Sequence, residues 1–236
     1  MKKTSLILAV LLLGWAGSAL AIDKEHLDGR IKRMMEKLEA MQEKPDKAMP
    51  AETFKKAKGI IIMERTRAGV VFAFMSGKGV ALVRNKSGKW GPAGFVQGSE
   101  ASLGAQMGGE SSLWVICLMT TNSIRMVRDS NFEFGGEARG TAGASSGDGK
   151  ATSNSADPVV LAYDDSKGFF GGVSVKGDSI NPDNDCNLAY YGDSFTMKQI
   201  ISGEKTKVTP QVAELIKALD AYAKNKKPKP AKDDDK

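Results

Sequence analysis

The segment that decides the fold runs from Gly59 to Val83 and reads GIIIMERTRAGVVFAFMSGKGVALV. Its short apolar runs are separated by glycine and charged residues, which is typical of β-strands bounded by turns. Residues 76–79 (SGKG) predict one hairpin turn, and residues 85–88 (NKSG) predict a second. Strands joined by short turns are antiparallel. The segment therefore predicts a mainly antiparallel sheet.

Helical spacing appears at the two ends of the chain, and further strand-like runs fill the middle. The N-terminal stripe is amphipathic, and its mixed charges favour packing on a core. A short helix follows Pro50, and the C-terminal helices begin at Thr196, which has capping-box spacing, and at Thr209. The order predicts a single α+β domain: a strongly twisted, glycine-rich, mainly antiparallel sheet or partial barrel, flanked by an N-terminal amphipathic helix and C-terminal helices. The N-terminal stripe is Leu27, Ile31, Met34, Met35, Leu38 and Met41; the further strand runs are residues 95–96, 113–119, 132–134, 159–163 and 169–175.

The N-terminus predicts export. Two lysines, an apolar run over residues 6–15 and a small-residue ending at Ala21 form a secretory signal peptide. The apolar run is shorter than the roughly 20 residues of a membrane-spanning helix. We expect cleavage after Ala21 and a periplasmic or otherwise exported protein, peripheral to the membrane, with an uncleaved anchor as the alternative. The predicted organisation is a signal peptide at 1–21, one domain at 22–223 and a disordered Lys/Pro/Asp-rich tail at 224–236.

The usual catalytic groups are missing from the sequence. His26 is the only histidine and lies close to the predicted cleavage point, which argues against Ser-His or Cys-His nucleophilic sites. Neither a phosphate-binding P-loop nor a dinucleotide glycine motif is present. We therefore predict a protein that is not an enzyme and needs no cofactor.

One segment resembles part of a calcium loop. Asn181, Asp183, Asp185 and Asn187 alternate like the opening ligands of an EF-hand. Cys186 and Gly192 then stand where that loop needs glycine and a bidentate glutamate, so we predict no metal site and expect these side chains to cap a helix and brace a loop. Whether Cys117 pairs with Cys186 stays open, since spacing alone does not show a disulfide.

Positive charge is concentrated in residues 50–90, which hold nine Lys/Arg against two Glu in a chain of net charge +6. Such a block favours contact with anions, although a solvated basic face without a function is the alternative.

Six short motifs in order are similar to the SYLF domain over about residues 30–203. They are KAKGI at 56–60, AGVV at 68–71, GKGV at 77–80, WGPA at 90–93, SKGFFGG at 166–172 and YYG at 190–192. The resemblance implies lipid binding: eukaryotic members bind phosphoinositides, with a basic amphipathic N-terminal helix implicated, and a fungal branch binds actin filaments. Bacterial members include exported proteins.

For an exported bacterial member, the resemblance implies a non-enzymatic protein of the cell envelope that associates with anionic phospholipid headgroups through a basic patch. Cytoplasmic actin and nucleic acid are not expected as partners, whereas envelope proteins are. The alternative is a structural or protein-interaction module of the periplasm without direct lipid binding. The predicted headgroup-binding residues are Lys55, Lys56, Lys58, Arg65, Arg67 and Lys78, extended along the first helix by Arg30, Arg33 and Lys37. The apolar stripe of that helix would insert into lipid only after undocking from the core.

Overall fold

The computed structural model describes residues 22–68, 72–103, 110–128, 132–134, 160–165, 168–170 and 178–228. The predicted signal peptide and the end of the predicted tail lie outside these residues. The strands are β1 (Gly59–Ala68), β2 (Phe72–Val83), β3 (Gly94–Leu103), β4 (Glu110–Leu118), β5 (Phe132–Phe134), β6 (Val160–Asp164), β7 (Gly168–Phe170) and β8 (Asp178–Pro182). The helices are α1 (Lys24–Gln42), α2 (Ala51–Lys56), α3 (Thr121–Arg128), α4 (Asn184–Tyr191), α5 (Met197–Ile201) and α6 (Pro210–Tyr222).

All these strands belong to one sheet of order β5-β8-β3-β2-β1-β4-β6-β7. Every neighbouring pair is antiparallel. The strand order ends at β5 on one side and at β7 on the other within the described residues. The predicted α+β class, with an antiparallel sheet between N-terminal and C-terminal helices, is confirmed.

The hairpin predicted at residues 76–79 is wrong, because β2 passes through these residues without a turn. Gly77 pairs with Arg65 and Gly79 pairs with Met63 on β1. A Cβ atom on Gly77 would lie 2.5 Å from the sulfur of Met63, and one on Gly79 would collide with the carbonyl oxygen of Ile62. The glycines are therefore explained by close approach of two strands. The second hairpin is confirmed: Gly88, at φ 78°, donates its N–H to the carbonyl oxygen of Asn85 at 2.9 Å.

Both faces of the central strands are buried, because helices cover each side of the sheet. Ile60 and Ile62 of β1 face a core shared with α1, α2, α4 and α6. Ile61 and Met63 face a second core shared with α3 and α5. This arrangement explains the uninterrupted apolar run at the start of β1.

Helix α1 is docked on the first core. Its apolar stripe is buried, with Leu27, Ile31, Met34 and Leu38 at 0% exposure and Met41 at 1%. Asp23 caps the helix by accepting the N–H of His26 at 2.7 Å. Packing on a core, the role favoured by the mixed charges of α1, is therefore confirmed.

The C-terminal helix boundaries follow the predicted capping signals. Thr196 and Gln199 form a capping box at α5, and Gly203 follows that helix at φ 72°. Thr209 caps α6, and Pro210 is its first residue. Helix α3, in contrast, was not predicted.

The segment that resembles a calcium loop has an architectural role. Asp183 caps α4 by accepting the N–H of Cys186 at 3.2 Å. The side chain of Asn187 accepts the N–H of Phe95 at 2.7 Å and donates to its carbonyl oxygen at 3.0 Å. Across the part of the chain that the structure describes, no group of acidic, histidine and cysteine residues could hold a metal ion. Among the same residues, no helix combines the length and the apolar character needed to cross a bilayer.

Candidate functional site

The candidate site lies at the end of the sheet where β1 begins and β2 and β4 finish. Gly59 pairs with Val83 on one side and with Leu118 on the other. The N–H of Lys58 donates to the carbonyl oxygen of Leu118, and the N–H of Arg84 donates to that of Lys58, each at 2.8 Å. The chain entering β1 and the chain leaving β2 are thereby held side by side.

Five exposed lysines surround this junction. Lys55 and Lys56 form the last turn of α2, Lys58 leads into β1, and Lys86 and Lys89 lie in the turn after β2. We call these five residues the basic end.

Arg84 ties the two halves of the basic end together. Its Nη1 donates to the carbonyl oxygen of Gly88 at 2.7 Å, its Nε to that of Ala57 at 3.2 Å and its Nη2 to that of Phe54 at 3.4 Å. Asp220 of α6 lies 3.8 Å from the same guanidinium. Burial lowers the pKa of Arg84 and Asp220 opposes that shift. One side chain thus fixes the lysine-bearing turn against the end of α2.

Most of the charge at the basic end is free for a ligand. Glu52 lies 3.5 Å from Lys55 and 3.6 Å from Lys56, but these side chains are 62–70% exposed. Ion pairs so exposed contribute little and exchange readily with solvent. Lys58, Lys86 and Lys89 have no ion pair with any residue that the structure describes.

Arg65, another predicted headgroup ligand, lies away from this surface. It is 8% exposed and its guanidinium lies 3.5 Å from the centroid of the Trp114 ring. The indole N–H of Trp114 donates to Asp164 at 2.5 Å. Six residues of β1 lie between Lys58 and Arg65, so their Cα atoms are about 23 Å apart. The side chain of Arg67 lies outside the described part of the protein.

Lys78 and Lys37 are engaged in contacts within the fold. Lys78 lies 3.2 Å from Asp183, the cap of α4. Lys37 lies 2.8 Å from Glu64 and donates to the hydroxyl of Ser111 at 3.0 Å. Both contacts lie towards the opposite end of β1 from the basic end.

The two arginines predicted on α1 differ in exposure. Arg30 is 8% exposed and its Nη1 donates to the sulfur of Cys186 at 3.5 Å. Arg33 is exposed on α1. Of the nine predicted residues, the structure therefore brings together Lys55, Lys56 and Lys58 alone at the basic end.

Sequence reasoning missed three members of the site. Lys86 and Lys89 belong to the basic block at residues 50–90, but they are not among the predicted headgroup-binding residues. The NKSG hairpin signal at 85–88 could have found them, because a turn directly after β2 must lie beside the start of β1. Arg84 had no comparable signal, since its three carbonyl partners lie on separate segments.

The two cysteines are free and buried, so a Cys117–Cys186 disulfide is not formed in this structure. Cys117 lies in β4, and burial raises its pKa to about 12. Cys186 lies in the first turn of α4, where burial is also the largest cause of a raised pKa. Neither thiol has the thiolate character that a nucleophile requires.

The paired tyrosines have structural roles. The buried Tyr190 donates its hydroxyl to Asp28 at 2.5 Å and contacts the hydroxyl of Thr209 at 2.6 Å. The half-buried Tyr191 donates to the carbonyl oxygen of Ala93 at 2.6 Å. Their hydroxyls therefore connect α4 with α1, with the N-cap of α6 and with the residue that precedes β3.

Comparison with known proteins identifies the family. The Ysc84 family, described as Las17-binding protein actin regulator, matches residues 99–222, just over half of the chain. The chain belongs to this family, the SYLF family. No solved structure matches it.

Several relatives of the SYLF chain come from fungi and animals. It is 31% identical over 187 residues to LAS seventeen-binding protein 3 of Saccharomyces cerevisiae, covering 78% of this chain and 40% of that protein. Protein YSC84 of the same organism is 32% identical over 184 residues, covering 76% and 39%. SH3 domain-containing YSC84-like protein 1 of Homo sapiens is 29% identical over 182 residues, covering 75% and 52%. The chain therefore spans about two fifths to one half of the length of these relatives.

Proposed function

We propose that this chain is a non-enzymatic binding protein of the bacterial cell envelope that associates with anionic phospholipid headgroups through the basic end. The observation that carries the proposal is the convergence of five exposed lysines, with Glu52 as their only carboxylate partner among the described residues. Each lysine near an anionic surface contributes about 1 kcal/mol. Five contribute about 5 kcal/mol, which corresponds to weak, reversible binding between millimolar and micromolar.

The docking of α1 supports peripheral attachment over insertion. Exposing one buried Leu, Ile or Met side chain costs about 1.5–3 kcal/mol, and the stripe of α1 contains five such side chains at 0–1% exposure. Insertion into lipid would bury this stripe again, but it would leave the core beneath α1 exposed to water, so undocking carries a net cost. Contact through charged side chains alone needs no change in the fold.

The predicted signal peptide supports a place in the envelope. An exported protein meets phosphatidylglycerol, cardiolipin and the phosphates of outer-membrane glycolipids, all of which are anionic. The basic end suits any of these, because lysines recognise charge without demanding a fixed geometry.

Co-sedimentation with phosphatidylglycerol vesicles at two salt concentrations tests this proposal. The triple variant Lys55→Glu, Lys56→Glu and Lys58→Glu should lose binding, and binding of the unmodified chain should weaken as salt rises. A matched control, Lys32→Glu, Arg33→Glu and Lys44→Glu, changes three exposed cations on and just after α1 and alters net charge equally. Equal losses in both triple variants would remove the assignment to the basic end.

A protein partner is the second candidate, favoured by relatives whose names describe binding to Las17. In that case the chain would bind an envelope protein and would not co-sediment with phosphatidylglycerol vesicles at either salt concentration.

A further inference from the structure

A cleft of about 230 Å³ lies between the C-terminal ends of α1 and α6. Glu39 lines it from α1 and Glu43 from the C-cap of that helix, whereas Tyr222 lines it from α6 and Lys226 and Lys227 from the segment after α6. The cleft shares no residue with the basic end. It is smaller than the roughly 300–1,000 Å³ of sites for drug-sized molecules, so its volume suits a small polar group.

Tyr222 gives the cleft an unused hydrogen-bonding group. The residue is 7% exposed, and its ring packs on Phe54 with centroids 5.4 Å apart. Its hydroxyl has no hydrogen-bond partner in the part of the chain that the structure describes. The hydroxyl is not sealed from solvent, because the Trp90 indole N–H is the one fully buried side-chain polar atom without a partner among the described residues. The Tyr222 hydroxyl therefore faces the cleft and is available to hydrogen-bond a ligand. Burial, and after it the charges of Glu39 and Glu43, raise the pKa of Tyr222, so the hydroxyl stays protonated at neutral pH.

The electrostatics of the cleft favour a cation beside the carboxylates. The C-terminus of a helix carries about half a negative charge, and neither α1 nor α6 has a basic residue in its last turn. Glu39 has no ion pair with any described residue. Glu43 pairs with the ammonium of Lys227 at 3.2 Å, where the two side chains are 55% and 83% exposed. The Lys227 side chain shows that an ammonium group fits beside Glu43. Because this ion pair is so exposed, another ammonium group can readily replace that of Lys227.

We propose that this cleft binds a primary ammonium group joined to a phosphate, the chemistry of phosphoethanolamine. The ammonium lies between Glu39 and Glu43 beside the Tyr222 hydroxyl, where it displaces Lys227. The freed Lys227, together with Lys226, then holds the phosphate. A trimethylammonium group has no N–H donors for these oxygen acceptors and binds less well.

Titration of the chain with phosphoethanolamine, followed by two-dimensional NMR, tests the assignment. We expect shifts confined to residues 39–43 and 222–227. Tyr222→Phe should weaken binding about fivefold, the effect of one hydrogen bond, at an unchanged melting temperature because the hydroxyl has no protein partner. Glu39→Gln with Glu43→Gln should weaken it at least tenfold, while the matched pair Glu25→Gln with Glu36→Gln, exposed elsewhere on α1, should leave it unchanged.

Absence of binding at millimolar phosphoethanolamine, equal binding of phosphocholine, or full binding by both cleft variants would overturn the proposal. Vesicles of phosphatidylethanolamine in phosphatidylcholine identify the source of the group. Recruitment above that of pure phosphatidylcholine supports a lipid headgroup, whereas binding of free phosphoethanolamine alone supports a soluble ligand. Neither result depends on phosphatidylglycerol vesicles, so this inference and the proposed function fail separately.

Discussion

The guanidinium of Arg84 lies 4.0 Å from the centroid of the Trp90 ring, and the two residues also form a backbone bridge that closes the turn after β2. Trp90 is 6% exposed and packs in the core beneath the helices. The stack therefore anchors the surface turn that carries Lys86 and Lys89 to the interior of the domain. This contact, together with the three hydrogen bonds of Arg84 to carbonyl oxygens, couples the stability of the core to the geometry of the basic end.

Replacing Arg84 with lysine should separate charge from geometry. Lysine keeps the positive charge but cannot reach three carbonyl oxygens with a planar fork. We expect Arg84→Lys to lower the free energy of unfolding by about 1–3 kcal/mol, measured by urea titration, since each lost hydrogen bond contributes about 0.5–1.5 kcal/mol. Affinity for phosphatidylglycerol vesicles should fall although the net charge is unchanged.

Lys86→Gln is the control for this experiment, because it removes a charge from the exposed turn and leaves the Arg84 contacts in place. It should weaken vesicle binding at unchanged stability. If Arg84→Lys matches the unmodified protein in both measurements, Arg84 does not organise the basic end.

Truncating the apolar stripe of α1 should act on stability alone. Leu38 is 0% exposed, and Leu38→Ala should lower the free energy of unfolding by about 2–5 kcal/mol through lost burial and the cavity left behind. Under conditions where the variant stays folded, its affinity for anionic vesicles should equal that of the unmodified protein. Weaker vesicle binding by the folded variant would show instead that α1 inserts into lipid.

Local sequence patterns predicted the parts of this fold that depend on neighbours along the chain. The apolar run at 60–63, the turn at 85–88 and the cap at Thr196 all occur where the patterns place them. Gly77 and Gly79 of β2 led to the wrong prediction of a turn, because a turn and a close approach of two strands both favour glycine. Only the contacts of these glycines with Met63 on β1 distinguish the two cases.

The candidate site was harder to predict, because its geometry depends on contacts between distant segments. Lys58 directly precedes β1 and Arg65 lies within it, and the sequence distinguishes them only as two basic residues of one block. The strand places Arg65 under Trp114 and leaves Lys58 in solvent. Charge counting identified the block, but only the sheet register determines which of its members share a surface.

Asn187 is expected to be essential for the docking of α4. It is 2% exposed, and its amide satisfies both the N–H and the carbonyl oxygen of Phe95. Asn187→Ala would leave the buried N–H of Phe95 without a partner, at a cost of about 1–3 kcal/mol, whereas the carbonyl oxygen of Phe95 would keep the N–H of Asp183 at 2.9 Å. Thermal unfolding should show a large loss of stability, whereas Asn184→Ala, exposed on the same helix, should show little. Comparable losses in the two variants would contradict the role assigned to Asn187.

Asp183 should make stability depend on pH in the acid range. Burial acts to raise its pKa, but hydrogen bonds from Cys186 and Lys78 outweigh burial and hold the pKa below its ordinary value. A carboxyl group with a lowered folded-state pKa stabilises the fold above its unfolded pKa and loses that contribution as the pH falls through the folded one. Asparagine also caps helices well, so Asp183→Asn removes mainly the charge. Urea titrations should show the variant less stable at pH 7 and the difference shrinking as the pH falls below about 4, the region where unfolded aspartate titrates. A difference that stays constant down to pH 2 would place the effect in the cap geometry and leave the charge of Asp183 without a role.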